Sequence, residues 1–306
     1  MSAHRPLVLL AALLALGPST GCVKSMAINA LGDALATPGE AFGRDDDPDF
    51  VCESSPFGLK TIESLIESAP DHIGLHTAAA RGSVQYGYAC LQLEADRIED
   101  DDFKGARHLR KRASGMYHRA VRYGLAGINL EVEAKDIRAA LRADPKATLA
   151  DFEKEHVPLL YWTAMGWAAG VALDKDDVEL AADLGLVEHL MDRVAELDPD
   201  YGEGAVHDFY LSWEMAQPGG DAQEKAKRAK DRMDKAFAAS GEKRLSPLVT
   251  YAESVLVSIQ DGDAFDAMLD RVLAFDLDSA PRHRLVNTLA QRRARWLKSR
   301  KDDLFL

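Results

Sequence analysis

No apolar run in this chain suits a transmembrane helix. Leu7 to Leu16 is too short for the roughly 20 residues a span needs, and Val157 to Leu173 is broken by polar residues too soon. Sustained apolar/polar alternation is missing as well. Gly and Pro fall between helical stretches instead of framing strands, which argues against a β fold. An excess of basic charge is absent: 50 acidic against 37 basic residues give −13, a field that repels nucleic acid and anionic membranes. The sequence holds no G-x-S-x-G, no Walker motif, no G-x-G-x-x-G after a strand and no C-x-x-C, so the chemistries those motifs serve have no carrier here. Cysteine is scarce, with three in 306 residues. What remains is an ordinary globular composition, 47% apolar, enough to fill a core.

The start of the chain reads as an address. His4 and Arg5 precede the Leu7–Leu16 run, and Gly17-Pro18-Ser19-Thr20-Gly21 then leads to Cys22. That three-part pattern is a bacterial signal peptide, and small residues directly before a cysteine resemble a lipobox, although Ser19 stands where leucine is usual. Residues 1–21 are therefore expected to be a lipoprotein signal peptide, Cys22 the lipidated residue, and residues 22–50 a tether with no sustained period. The competing reading is ordinary secretion with Cys22 a bystander. Asp45-Asp46-Asp47-Pro48-Asp49 lacks the alternating ligands and central glycine of a calcium loop, and it suits the solvated N-terminus of a helix. Cys52 and Cys90 remain. An exported compartment permits a bridge between them, but spacing does not demand one, and two buried free thiols are expected.

From residue 51 to 306 the pattern is helical, and it repeats. Trp162, Met165, Gly166 and Ala169 read W-x₂-M-G-x₂-A, close to the first-helix signature of tetratricopeptide repeats. Val187, Met191, Val194 and Pro199 follow the second-helix spacing, repeated by Ala229, Met233 and Ala236 and, upstream, by Ala113, Tyr117 and Ala120. The spacing predicts an all-α array of degenerate tetratricopeptide-like helical pairs with a C-terminal capping helix over 283–300. Other helices are expected over 57–69, 73–98, 103–123, 157–173, 203–216, 221–239, 247–260 and 263–275. The basic face of the 103–123 helix, with Arg110 and Arg119, is read as a solvated face paired with acidic neighbours. His72 and His76 stand at i and i+4 but lack the glutamate of a zinc motif, so they read as caps or surface residues. Neither a metal nor a cofactor is expected.

The most suggestive polar-aromatic group is His207, Asp208, Tyr210, Trp213 and Glu214. No nucleophile or ligand set accompanies it, so binding is the reading and catalysis is not. If Trp162 holds the signature position, the register aims Leu160, Thr163 and Trp167 at the concave face. The neighbouring pairs add Val84, Tyr88, Asp208, Leu211 and Leu256. That lining is mostly apolar, as a site for an organic ligand or an extended partner segment would be.

Particular runs also resemble a known family. These are Asp47-Pro48-Asp49 with Pro56-Phe57-Gly58-Leu59-Lys60, Gln85-Tyr86-Gly87-Tyr88, Glu94-Ala95-Asp96-Arg97 and Val157-Pro158-Leu159-Leu160-Tyr161-Trp162. Leu197-Asp198-Pro199-Asp200, Gly204-Ala205-Val206-His207, Asn287-Thr288-Leu289-Ala290-Gln291-Arg292-Arg293-Ala294 and Leu304-Phe305 complete the set. From Asp45 onward the chain resembles the T component of TRAP transporters, a family of periplasmic lipoproteins. The resemblance implies an all-helical fold, an apolar pore-like cavity, homo-trimers, and partnership with the transporter's periplasmic substrate-binding protein. It also implies an organic acid or other apolar-tailed ligand. The alternative function is a lipid-anchored scaffold of the cell envelope that binds protein segments and no small ligand.

Overall fold

The computed structural model describes residues 28, 30–35, 40–174, 178–217 and 219–305; Cys22 and the signal segment lie outside them. Among the described residues the chain is all-α, without a strand. Its main helices are α1 Pro48–Ser68, α2 Ile73–Tyr86, α3 Leu93–Ile98, α4 Phe103–Val132, α5 Ile137–Ala143, α6 Pro145–Thr148, α7 Val157–Leu173, α8 Leu184–Leu197, α9 Tyr201–Ala216, α10 Ala222–Ala239, α11 Ser246–Tyr251, α12 Gly262–Leu273, α13 Arg284–Ser299 and α14 Lys301–Leu304.

Aspartate starts many of these helices. Asp47 accepts hydrogen bonds from the amides of Asp49 and Phe50, at 3.0 and 3.1 Å. Asp102, Asp136, Asp144, Asp221 and Asp261 do the same for the amide three residues on, at 2.9 to 3.1 Å. Each satisfies an amide that the helix itself leaves without a partner, and its charge suits the positive helix end. The acidic run at 45–49 thus caps α1, as expected of it, and the helix begins at Pro48, well before the expected Phe57. Pro56 lies inside α1 on an exposed face.

Two cores hold the fold. The first surrounds α7: Leu159, Leu160, Ala164 and Trp167 pack with Ile128 from α4 and with Val187, Leu190, Met191 and Val194 from α8. Close approach depends on glycine. A Cβ at Gly124 would lie 2.0 Å from Thr163 Oγ1, and one at Gly166 would lie 2.6 Å from the Ala120 Cβ. These glycines let α4 and α7 touch backbone to side chain, which is why α4 runs through 124 and 127 to Val132. The second core joins α9 to α13 through Leu211, Met233, Phe237, Leu248, Val255, Leu256, Phe265, Leu269 and Leu297.

Two helices are widened by a π turn. Gly87–Gln92 links α2 to α3, and Ala252–Leu256 continues α11. The first π turn wraps Tyr117 of α4, whose hydroxyl donates to Gln92 Oε1 at 2.6 Å while its ring fills the space beside Gly87. The same turn carries Cys90, which is bonded to Cys52 of α1. The expectation of two free thiols is therefore corrected. The packing of α1 against α2 and the π turn brings the two Cα atoms to 5.5 Å, within the span of a bridge.

The chain closes on itself. From α1 to α8 it forms one half, built on the first core; from α9 to α14 it forms the other. Among the described residues, substantial packing between the halves falls in two places: α7 and α8 on α9, and α13 with the turn Pro281–His283 on α1 and the short helix Glu40–Gly43. Ion pairs bind the second place. Arg292 reaches Asp49 at 2.8 and 3.1 Å, Arg293 reaches Asp96 at 2.9 Å, and Arg300 pairs with Asp100.

Candidate functional site

Polar and aromatic side chains from several helices of both halves share one electrostatic neighbourhood. Tyr88, in the first π turn, is 47% exposed, and its hydroxyl has no hydrogen-bond partner among the described residues. Burial nonetheless raises its pKa far above the usual phenol value; the charges of Glu253, Asp208 and Asp96 add to the rise and Arg293 opposes it. Tyr161 of α7 lies in the same field. Burial raises its pKa, Asp208 adds to the rise and Arg244 opposes it.

Asp208, on α9, carries the ionisable centre. Its Oδ2 accepts from Arg244 Nη1 at 3.2 Å. Burial raises its carboxyl above the ordinary range, against the pull of Arg244 and the hydroxyls of Thr250 and Ser246. Its Oδ1, the Nε of Arg244 and the Oγ of Ser246 are all buried without a geometrically sound hydrogen bond. Those hydroxyls are thus close enough to act on the charge but not aligned to bond it. Arg293, whose charge also acts on Tyr88, lies 11% exposed between Asp96 and Glu253, gripping the latter with two bonds at 2.5 and 3.2 Å. Glu253 belongs to the second π turn, so both π turns put side chains into one electrostatic neighbourhood. Such turns often mark functional sites.

The eight expected lining residues divide. Tyr88 and Asp208 come together in this neighbourhood. Leu160, Thr163, Trp167 and Leu211 have no exposed surface, and Val84 and Leu256 have 5% and 3%. Thr163 donates to the Leu159 carbonyl at 2.6 Å, and Trp167 Nε1 donates to the Leu180 carbonyl at 3.1 Å. Val84 packs beside Gly166, while Leu211 and Leu256 belong to the second core. The residues of this neighbourhood are thus more polar and aromatic than the apolar lining expected. Missed from the sequence were Tyr161, Arg244, Glu253 and Arg293. Only the arginines beside acidic partners carried a signal, and charge pairs over long separations cannot be matched from one sequence.

The other candidates have structural partners. His72 caps α2 by accepting from the Leu75 amide at 3.3 Å, and the buried His76 donates through Nε2 to the Pro70 carbonyl at 2.8 Å. Arg110 binds Glu99 and Asp96, and Arg119 binds Glu63, as the solvated-face reading expects. Tyr210 donates to Asp192 at 2.5 Å and carries Arg232 over its ring, and Trp213 stacks on Phe209. An open polar depression at Gln223, Gln260, Asp263 and Lys301 shares no residue with the group around Tyr88 and Asp208.

Fold and site together define an all-helical protein of two halves, with a polar-aromatic cluster drawn from both. Among the described residues no helix is long and apolar enough to cross a membrane. The model of the family TRAP transporter T-component matches residues 44–305, and the chain belongs to that family, an accessory component of TRAP transporters. A relative from Treponema pallidum (strain Nichols), described as an uncharacterized protein, is 32% identical over 285 residues, covering 90% of this chain and 85% of its own.

Proposed function

We propose that this T-component is a lipid-anchored periplasmic protein that holds a small organic ligand between its halves and exchanges it with the transporter's periplasmic substrate-binding protein. Tyr88 carries the reading: a half-exposed ring, without a hydrogen-bond partner among the described residues, stands among charged groups of both halves, and a ligand bound there would give its hydroxyl a partner. The lining suits a ligand with a hydrogen-bonding head and an apolar tail, such as an organic acid. The head would meet the Tyr88 hydroxyl and the Asp208–Arg244 pair, and the tail would lie along the aromatic rings. The helical pairs are read as degenerate tetratricopeptide units.

The expected result concerns protein purified from its native host and studied by native mass spectrometry. Wild type should retain a small molecule. Tyr88→Leu should lose most of it with little change in thermal midpoint, because the side chain is half-exposed and its hydroxyl bonds nothing among the described residues. Full retention by the variant, or an empty wild type, overturns the reading.

Anchoring rests on Cys22. Cys22→Ala should move the protein from the membrane to the soluble fraction and leave its circular dichroism unchanged, since one acyl-bearing residue supplies the attachment and no core contact. Continued membrane fractionation would remove Cys22 as the anchor. The scaffold reading has one observation in its favour: Phe42, Phe50 and Phe57 are 60%, 61% and 81% exposed near the N-terminal end of the fold. Exposed rings of this size favour a protein contact, which is compatible with ligand binding elsewhere.

A further inference from the structure

Helix α4 keeps its cations apart from the chain's acids. From Phe103 to Leu130 the sequence holds seven lysines and arginines and no aspartate or glutamate, in a protein with 50 acidic residues. Arg110 and Arg119 are partly buried and find carboxylates on neighbouring elements. Lys104, Arg107 and Lys111 are exposed and make no hydrogen bond or ion pair among the described residues. Exposed cations on other helices pair within a turn, as Lys60 does with Glu63, Lys230 with Asp234 and Lys235 with Asp231. On this stretch of α4 no acid stands a turn away to receive them.

Spacing puts Lys104, Arg107, Lys111, Gly115 and Arg122 on one face of the helix, over roughly 27 Å. Phe103, 65% exposed, leads the row one turn before Arg107. Three features of this face work against α4 itself. Like charges a turn apart repel, cations in the opening turns oppose the helix dipole, and Gly115 weakens the helix relative to alanine. Gly124 and Gly127 offset that weakness by admitting Thr163 and Leu159, but at Gly115 a Cβ would meet nothing within 4 Å. It is a notch of the same helix with no occupant from this chain.

We propose that this face of α4 docks an acidic surface of a soluble periplasmic protein, with a side chain or loop of the partner seated over Gly115. The proposal rests on the anchored, partnered reading above, in which that protein is the transporter's substrate-binding protein. Charge decides the occupant: on a protein of net charge −13, an unneutralised cationic row draws carboxylates and steers their approach. An anionic bilayer offers the same sign of charge, but the chain enters along another side of α2. Arg81 donates to the Leu35 carbonyl at 3.3 Å, whereas α4 meets α2 at His76, whose Cβ would lie 3.1 Å from one at Gly127. His76 and Arg81 stand five residues apart, about 140° around the helix. An anchor at Cys22 therefore draws the Arg81 side toward the membrane and leaves α4 turned to the periplasm.

The test measures binding of the purified substrate-binding protein to the full-length protein by biolayer interferometry. Gly115→Glu puts a carboxylate at the centre of the row, in open space and with a better helix former, so its thermal midpoint should not fall. Binding should weaken about tenfold, chiefly through slower association. Arg107→Gln with Lys111→Gln should weaken it about fivefold, the scale of two exposed pairs, and flatten its salt dependence. Lys227→Gln with Lys235→Gln removes equal charge from α10 and should change little. Binding that the α4 variants leave unchanged, or that the α10 pair weakens as much, overturns the docking face and leaves the partnership standing. So does a lower midpoint in Gly115→Glu, since the notch would then not be open. No binding by wild type overturns the partnership, and the face with it. Vesicles of phosphatidylcholine and phosphatidylglycerol in equal parts are the second probe, offered to Cys22→Ala protein. Binding there that Gly115→Glu abolishes would assign the row to lipid and overturn protein docking.

Discussion

Trp167→Ala should destabilise the protein by about 3–5 kcal/mol, the range for removing a large ring from a packed interior. The ring has no exposed surface, sits among α4, α7 and α8, and uses its Nε1 to satisfy the Leu180 carbonyl. Truncation leaves both a void and a buried acceptor without a donor. The guanidinium of Arg138, 5.2 Å from the ring centre, also loses its apolar cover. A urea-unfolding series measures the loss; a change below about 1 kcal/mol would show that the ring is not a core element. Trp162 carried the repeat signature in the sequence, yet it is only half-buried and stands edge-on to Tyr161 at 5.1 Å, so the same truncation costs less there.

Cys52→Ala combined with Cys90→Ala should cost about 3–4 kcal/mol, the entropy that closing a loop of this length removes from the unfolded chain. The bridge spans 38 residues. Its loss should also be local in character. Besides the bridge, α1 is held by Leu59 beside Gly82, by Ile66 in a small core around Leu75 and Ala79, and by the Glu63–Arg119 and Asp49–Arg292 pairs, which is far less cover than α7 has at the centre of the first core. Hydrogen exchange over 48–68 should therefore rise more than exchange over 157–173. Uniform exchange across both segments, or an unchanged urea midpoint, would contradict the bridge's role as the fastening of the first helix.

Residues with local signals were legible. Asp198-Pro199 ends α8 at Leu197, Asp221 and Asp261 start the helices after them, and the apolar density of 157–173 delimits α7 to the residue. The errors have a common source in residues whose usual local meaning was overridden by packing. Gly124 and Gly127 looked like the end of a helix, but they are notches for Thr163 and Leu159. The first helix was expected only from Phe57, although Asp47-Pro48 already held the signature of an aspartate cap with proline in the first turn. The repeat register aimed Leu160, Thr163 and Trp167 at a concave face, whereas those side chains are spent where α7 meets its neighbours. Tyr88 and Asp208 were found because they stand on helices that edge the gap between halves. Arg244 and Arg293 could not be, since their partners lie far along the chain.

The π turn at Gly87–Gln92 has a further consequence, for register. An uninterrupted α-helix advances about 100° per residue, and a π turn fits one extra residue into a turn. Everything after Gln92 is therefore rotated by about that angle relative to the face that α2 alone would present. With that offset, Asp96 points to Arg293 across the gap and to Arg110 of α4, and Glu99 joins it on Arg110. The helix from 73 to 98 thus speaks to two audiences: its first half addresses the hydrocarbon of α1 and α7, and its second addresses cations. One surplus residue separates those addresses, so the length of this segment, as much as its composition, decides which partners its acidic end can find.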